Sequence, residues 1–494
     1  MKEPVLIILR GQLKESSYMN MIIIDSESNK PLYVQIYEQI KEQIIMEEIP
    51  KGSKLPSIRS LSAMLNVSRN TVETAYLQLS SEGFIESRPG SGYISVNLDN
   101  MDLLRPASVI SAPKRHEDSE EEIEKKKFKY NFHNRALSSH NFPVRTWKKL
   151  INQCLSNANI ENFHSYNSQR GERDLQIELV KYLNRTRGIN CDPDQIIISS
   201  GMEYALGLLC QLFREEHEQV AIEDPGYMVA RRIFENNGYK PIPISLDRGG
   251  INLDELRGTS VRLVYVTPSH QFPMGIVMPI KKRIELLEWA IKNKAIIIED
   301  DYDSEFRYNS KPIPALQSID SKESVVYIGT FSKSLSPGLR LNYMVLPRPL
   351  LDRYDKLFSL YRVPVSYIEQ KVLKEFMHQG YWDRYLRKMI TTAMKRHEFL
   401  IKTIEEYMGD SVIIHGKNGG LHIVLEFNNG LKEDDLVNRA RGKDILISPV
   451  SMFWMRKERY SNNMVLLGYG GMDEEEIVEG IKLLKSALVD GQDQ

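Results

Sequence analysis

A chain of 494 residues exceeds the roughly 100–200 residues of a common domain, so two or three folding units are expected. With 41% apolar residues, 27% charged residues and Lys+Arg against Asp+Glu at 65 to 66, disordered and fibrous classes are excluded. The balanced charge also excludes a general pull toward nucleic acid or membrane, so any such partner must be met by a local patch.

No apolar run approaches the ~18 residues of a spanning helix, and Val5–Leu9 is too short for a signal-peptide core. A cytoplasmic protein without a membrane partner is expected. Cys154, Cys191 and Cys210 lie far apart, without CxxC or Cys/His ligand spacing, so neither a disulfide framework nor a metal site is expected. Residues 1–20 fit no periodic template and receive no role; Met19 and Met21 are both candidate starts.

From Pro31, Leu32, Ile36, Ile40 and Ile44 recur at helical spacing and predict a first helix, with Pro50 and Gly52 as stop signals. Ser57 is the expected cap of a second helix carrying Ile58, Leu61 and Leu65. Asn66 and Val67 make a turn, and Ser68 caps a third helix with Val72, Ala75, Tyr76 and Leu79 inward. Gly83 ends it. Phe84–Glu86 and Tyr93–Ser95 then flank the turn-rich run Ser87–Gly92, predicting a two-stranded wing. Residues 21–97 thus read as one domain, and 98–129, rich in blocked like charges, as a solvated linker.

Residues 130–494 alternate apolar strands (Ile196–Ile198, Val261–Val266, Ala295–Ile298, Val325–Ile328) with helical stretches such as Lys281–Lys292. This pattern predicts a doubly wound α/β sheet. After about Leu350 it turns helical and ends in Leu421–Phe427, Val465–Tyr469 and a helix from Asp473, predicting a small α+β lobe.

Two constellations carry chemistry. The first is Arg59, Ser68, Arg69, Asn70 and Thr71 at the starts of the second and third helices, with Arg88 and Gly92 in the wing. These positions suit contacts to phosphates and base edges of double-stranded DNA. Residues 21–97 hold seven Lys/Arg against nine Asp/Glu, but the basic residues collect on these contact elements. The run LPSIRSLSAMLNVSRNTVETAYLQLSSEGFIESRPGSGYIS resembles the winged helix-turn-helix of the GntR family of bacterial regulators. Glu73 departs from the basic residue often found near that position.

The second constellation lies in four segments, each following a strand. In Gly329–Tyr343, Lys333 can form a Schiff base with an aldehyde, Thr330 and Ser332 offer hydroxyls, Gly338 lets the backbone close in, and Arg340 can grip a phosphate. In Ile296–Asp303, Asp300 is placed to pair with a protonated ring nitrogen and Tyr302 to donate to a ring oxygen. Gly201 and Met202 offer N–H groups at a helix start, and Tyr227 of Asp224-Pro-Gly-Tyr227 can stack on a flat ring.

Together these segments resemble the fold-type I pyridoxal phosphate enzymes of the aspartate aminotransferase family over about residues 130–490. The resemblance implies pyridoxal 5'-phosphate as cofactor, linked to Lys333 as an internal aldimine. It implies Asp300 on the ring nitrogen, Tyr302 on the ring oxygen and Tyr227 on the ring face. Gly201, Met202, Thr330, Ser332 and Arg340 are implied at the phosphate, and Tyr166 at the neighbouring subunit's phosphate. Two positions depart from that pattern. Ser269–Gly275 carries Phe272 where aminotransferases have an asparagine, leaving His270 or Gln271 as the substitute. The run Met464–Tyr469 lacks the arginine that commonly binds a substrate carboxylate, leaving Arg456, Arg459 and Arg441 as candidates.

The combination resembles the MocR/GabR family of bacterial transcription regulators across nearly the whole chain. The fold this implies is multidomain: an N-terminal all-α winged helix-turn-helix, then a C-terminal α/β fold-type I aminotransferase-like domain with a small α+β lobe. The implied function is regulation of an operator through a small amine, an amino acid or the cofactor, by a head-to-tail homodimer. The rival expectation is a working aminotransferase with an accessory DNA-binding domain.

Overall fold

The computed structural model describes residues 22–25, 28–96, 128–133, 142–157, 163–308 and 313–489. The N-terminal extension and nearly all of the expected linker lie outside the described residues. The chain forms two compact units, Met1–Lys125 and Lys126–Gln494.

The first unit contains helices α1 (Leu32–Ile45), α2 (Ile58–Leu65) and α3 (Arg69–Ser81), followed by strands β1 (Ile85–Arg88) and β2 (Gly92–Ser95). Ile36, Ile40 and Ile44 of α1 pack with Leu61, Val72, Ala75, Tyr76 and Leu79 in one core. The Ser57 hydroxyl accepts from the Ser60 N–H at 3.1 Å, and Ser68 accepts from Thr71 N–H at 3.1 Å, satisfying two otherwise orphaned helix-start donors. Between the two helices Asn66 takes a left-handed backbone at φ 51°. The antiparallel wing pairs Ile85 with Ser95 and Arg88 with Gly92, and its tip needs the positive φ of Gly90 and Gly92.

The first helix ends earlier than its stop signals suggest. At Glu47 the backbone turns left-handed, and the Ile49 N–H bonds the Gln43 carbonyl, folding Ile49 back into the core. Burial of one isoleucine, rather than Pro50, sets that boundary.

The second unit is built on an eight-stranded sheet. Its members are β4 (Ile196–Ser199), β5 (Gln219–Asp224), β6 (Lys240–Asp247), β7 (Gly250–Ile251), β8 (Leu263–Val266), β9 (Ile296–Asp301), β10 (Val325–Thr330) and β11 (Asn342–Val345), in spatial order 4-11-10-9-8-5-6-7. Strands β6, β5, β8, β9 and β10 run parallel, and the apolar residues of the inner strands β5, β8 and β10, with Ile297 and Ile298 of β9, are buried. β11 departs from a purely parallel sheet: it runs antiparallel between β10 and β4. The segment 331–341 holds only a short turn of helix at Pro337–Leu339, too little for the crossover that a parallel return requires.

A smaller four-stranded antiparallel sheet combines Val412–His415, His422–Phe427, Met464–Gly468 and Ser448–Pro449, backed by the helices Tyr381–Met408 and Glu474–Leu488. Tyr130–Asn131 pairs in parallel with Ile445–Leu446, which ties the start of the second unit to this lobe. No helix among the described residues is long and apolar enough to cross a membrane.

Hydropathy alone ends β9 at Ile298, yet the strand continues through Glu299, Asp300 and Asp301, all buried. Buried ions require partners. Glu299 accepts backbone N–H groups of Leu316 and Gln317 at 2.8 Å each. Asp301 pairs with Arg187 at 2.7 Å and accepts hydroxyls of Tyr327 at 2.6 Å and Ser304 at 2.9 Å. Arg187 also donates to Ser269 Oγ at 2.7 Å and to the Ile313 carbonyl. Replacing Arg187 with leucine strands Asp301 without its cation and is expected to destabilise the second unit by about 3–5 kcal/mol in denaturant unfolding. A loss below about 1 kcal/mol would show that the two hydroxyls suffice.

Candidate functional site

Strands β8, β9 and β10 bring their C-terminal ends to one edge of the sheet, the place where open α/β sheets bind ligands. Asp300, opposite Ile328 in the β9–β10 register, lies at this edge. One carboxylate oxygen accepts the Tyr265 hydroxyl. The other, Oδ1, is buried and makes no hydrogen bond. Burial lifts the Asp300 carboxyl to about pKa 7, against the Tyr265 hydrogen bond, which works to lower it. A half-satisfied buried carboxylate is the group a pyridinium N–H matches.

Two residues on, the Tyr302 hydroxyl lies 3.0 Å from His270 Nδ1, which is also 2.9 Å from Asp303 Oδ2. His270 is expected from the sequence to touch the cofactor. In the structure its Nδ1 serves Tyr302 and Asp303, while its buried Nε2 makes no hydrogen bond. A Cβ on Gly420 would overlap the imidazole, so the ring is wedged in place and acts through Tyr302. Gln271 closes its own turn: its amide donates to the Pro225 carbonyl at 2.9 Å, and its Oε1 accepts the Met274 N–H at 3.1 Å.

Tyr227 meets Phe272 edge-on with ring centres 5.6 Å apart, and Phe272 also packs on Tyr302, His422 and Phe453. The slot that carries asparagine in aminotransferases is therefore an apolar wedge here. His422, which the sequence reading did not single out, enters from the strand His422–Phe427 of the small sheet. Its Nε2 is 3.0 Å from the Pro273 carbonyl and must carry the proton, which leaves Nδ1 as an acceptor. Burial first, then the charges of His270 and Lys333, hold this imidazole well below its usual pKa, so it is neutral. Only its position on a strand of the small lobe could have signalled it, and a lone histidine in an apolar run carries no such message.

Lys333 sits half-buried in the loop after β10, close enough for its charge to act on His422. Farther along the loop, Arg340 adopts a left-handed backbone at φ 50° and pairs with exposed Glu203. Its guanidinium lies against Gly201, where any Cβ would overlap it. Gly201 is thus required for close approach. The expected donation from its N–H is corrected, however: that N–H bonds Asn342 Oδ1 at 2.8 Å, which also takes the Ser199 hydroxyl at 2.7 Å. Met202 lies in the first helical turn, where backbone N–H groups lack partners within the helix. The Thr330 and Ser332 hydroxyls are 3.0 Å apart, and the Ser332 N–H donates to Thr330 Oγ1 at 3.1 Å. Ser336 caps the short turn Pro337–Leu339, its hydroxyl accepting the Gly338 N–H at 3.2 Å.

The residues fit a phosphorylated aldehyde with a basic ring nitrogen: a lysine, an unmatched carboxylate oxygen, a fixed phenol and an arginine beside a helix start. Tyr166 is not gathered with them in the single chain; it is 91% exposed, on a loop pinned by Asn167 to the carbonyls of Val363 and Val365. Of the candidate carboxylate binders, Arg456 is held by Asp224 and Glu255, whereas Arg441 and Arg459 are exposed.

In the first unit, Arg59, Arg69 and Asn70 are exposed at the starts of α2 and α3. The hydroxyls of Ser68 and Thr71 bond each other at 2.8 Å within the cap. Arg88 pairs with Glu86 across the outer strand, and Gly92 is exposed at the wing tip.

Residues 32–94 match the gntR family of bacterial regulatory proteins, and residues 133–478 match aminotransferase class I and II. The chain is 39% identical over 457 residues to the HTH-type transcriptional regulator YdeL of Bacillus subtilis, covering 92% of this chain and 96% of that one. It is 30% identical to the probable rhizopine catabolism regulatory protein MocR of Rhizobium meliloti, covering 95% and 96%. Among solved structures, the kynurenine aminotransferase of Pyrococcus horikoshii superposes with a TM-score of 0.69 at 25% identity. That match covers 77% of this chain and 96% of the enzyme.

The raised Asp300 carboxyl has a pH consequence. The folded, cofactor-free state keeps a proton on it between about pH 4 and 7 that the unfolded chain releases, so stability falls as pH rises through that window. Asp300→Asn removes this dependence. Thermal unfolding of cofactor-free protein is expected to show the variant gaining on wild type, by up to a few kcal/mol, at about pH 8 relative to about pH 5. An equal difference at both pH values would contradict the assignment.

Proposed function

We propose that this chain, which belongs to the MocR/GabR family of GntR-type regulators fused to an aminotransferase fold, binds operator DNA through α2, α3 and the wing. Its second unit holds pyridoxal 5'-phosphate on Lys333 and senses a small amine, an amino acid or the cofactor itself. The observation that carries this reading is Asp300, buried on the same sheet edge as Lys333 and Tyr302 with one hydroxyl and, among the described residues, no cation to meet its charge.

Bound there, pyridoxal phosphate would supply an aldehyde carbon able to hold a primary amine, that of Lys333 or of an effector. Asp300 would keep the ring nitrogen protonated and Tyr302, fixed by His270, would orient the ring oxygen. Tyr227 would face the ring, while Arg340, Met202, Thr330 and Ser332 would hold the phosphate and Gly201 lets the guanidinium close in. A protonated Lys333 not held by the cofactor would carry its charge close to neutral His422 and so change the contacts of the pocket. Such a change can shift DNA binding only by the ligand's differential affinity for two states of the protein, typically ~1–3 kcal/mol.

A head-to-tail homodimer is part of the proposal. Exposed Tyr166 is presented outward by its pinned loop, and exposed Phe163, Leu360 and Tyr361 accompany it on the neighbouring segments, as a contact with a second copy requires. The complete lysine, carboxylate and tyrosine set also favours a second reading, that of a working aminotransferase. The run Met464–Tyr469, without an arginine, sets regulation first. Sustained keto-acid production from a panel of amino donors, at the rate of ordinary transaminases, would reverse the ranking.

Two measurements test the proposal. Purified protein is expected to be yellow and Lys333→Ala colourless; a wild type that takes up no cofactor would contradict it. In mobility-shift titrations with DNA upstream of the gene, Arg59→Ala plus Arg69→Ala should abolish specific retardation and lower the slope of log affinity against log salt by about 2. An unchanged slope would remove both arginines from the phosphate contacts.

A further inference from the structure

The outward face of α3 carries a group that attraction to phosphate does not explain. Asn70, Glu73, Thr74 and Leu77 are exposed at helical spacing, opposite the buried Val72, Ala75, Tyr76 and Leu79. Glu73 makes no ion pair and no side-chain hydrogen bond among the described residues. After Arg69, no Lys or Arg follows along the helix to balance it. The cations sit at the margins instead: Arg59 at the start of α2, Arg69 at the start of α3 and Arg88 in the wing. The groove-facing stripe therefore has basic residues at its edges and a bare carboxylate near its centre.

Against a polyanion, a carboxylate in that place is repulsive unless it meets a hydrogen-bond donor. Ionised, it can only accept. In the major groove guanine shows two acceptors, and thymine an acceptor and a methyl group. Adenine shows a donor beside an acceptor, a pair that suits an amide; cytosine shows the N4 amino donor. One base edge therefore matches a lone acceptor.

We infer that Glu73 is a specificity-determining residue that selects cytosine at one position of the recognition sequence. This rests on the reading that α3 enters the major groove. Thr74 and Asn70 flank Glu73 on the same stripe, so the discriminated base pair lies between positions read by its neighbours.

The test is selection from randomised duplex DNA by the full-length protein, in wild-type, Glu73→Ala and Glu73→Gln forms, followed by sequencing of the bound pools. All three fold alike, because the side chain is exposed and makes no contact that the fold uses. Wild type is expected to enrich one cytosine whose replacement weakens binding about ten-fold or more. Glu73→Ala should lose the preference at that position alone, binding all four bases within about two-fold. Glu73→Gln should move the preference to adenine, because an amide matches the donor and acceptor of that base. If the enriched sequence is identical in all three pools, Glu73 faces solvent and the inference fails while DNA binding stands. If wild type enriches nothing, the DNA-binding reading fails and takes this inference with it.

Discussion

The second unit is organised around three consecutive acids buried at the C-terminal end of β9. Glu299, Asp300 and Asp301 prolong the strand past its apolar run, and all three are buried. Each acid therefore needs its own solution. Glu299 is met by two backbone N–H groups that fix the Leu316–Gln317 turn. Asp301 is met by Arg187, Tyr327 and Ser304, and Arg187 draws Ser269 and Ile313 into the same network. Asp300 is met halfway, by Tyr265 alone. Asp301 also keeps one oxygen without a hydrogen bond, so what sets Asp300 apart is that, among the described residues, no cation faces it.

The same division runs through the loops. Glu223, buried and lifted by burial to about pKa 7, accepts from Thr267 and ties β5 to the turn that carries His270 and Phe272. Asn342 ties β11 to the start of the helix Gly201–Phe213, so this helix start and the end of the lysine loop are braced by one side chain. Tyr308 and Tyr469 both donate to the Gly420 carbonyl and press Gly420 onto the His270 ring. Groups that contact a ligand are few, and the polar residues that aim them are more numerous and better buried.

Much of this was legible in the sequence. Caps at Ser57 and Ser68, the wing glycines and the apolar helical stripe are local signals, and local signals survive folding. The candidate cofactor residues could be named because each follows its own strand in chain order. What was not legible depends on partners distant in sequence. Hydropathy cannot extend a strand through EDD, because it does not know that Arg187 will arrive. Asn342 looks like any polar residue beginning a strand until it takes the Gly201 N–H. His422 becomes part of the pocket only once the small lobe folds back over Pro273. The task of a residue also depends on packing: His270 Nδ1 is occupied by Tyr302 and Asp303, an arrangement its place in the loop does not announce.

On this reading Lys333, in the loop after β10 at the sheet edge that carries Asp300 and Tyr302, is the lysine that forms the covalent link to pyridoxal phosphate. Borohydride reduction of the cofactor-loaded protein, followed by proteolysis and peptide mass mapping, tests this. One phosphopyridoxyl group per chain is expected, on the peptide containing Lys333. A label spread over surface lysines, or found on any other single lysine, would contradict it.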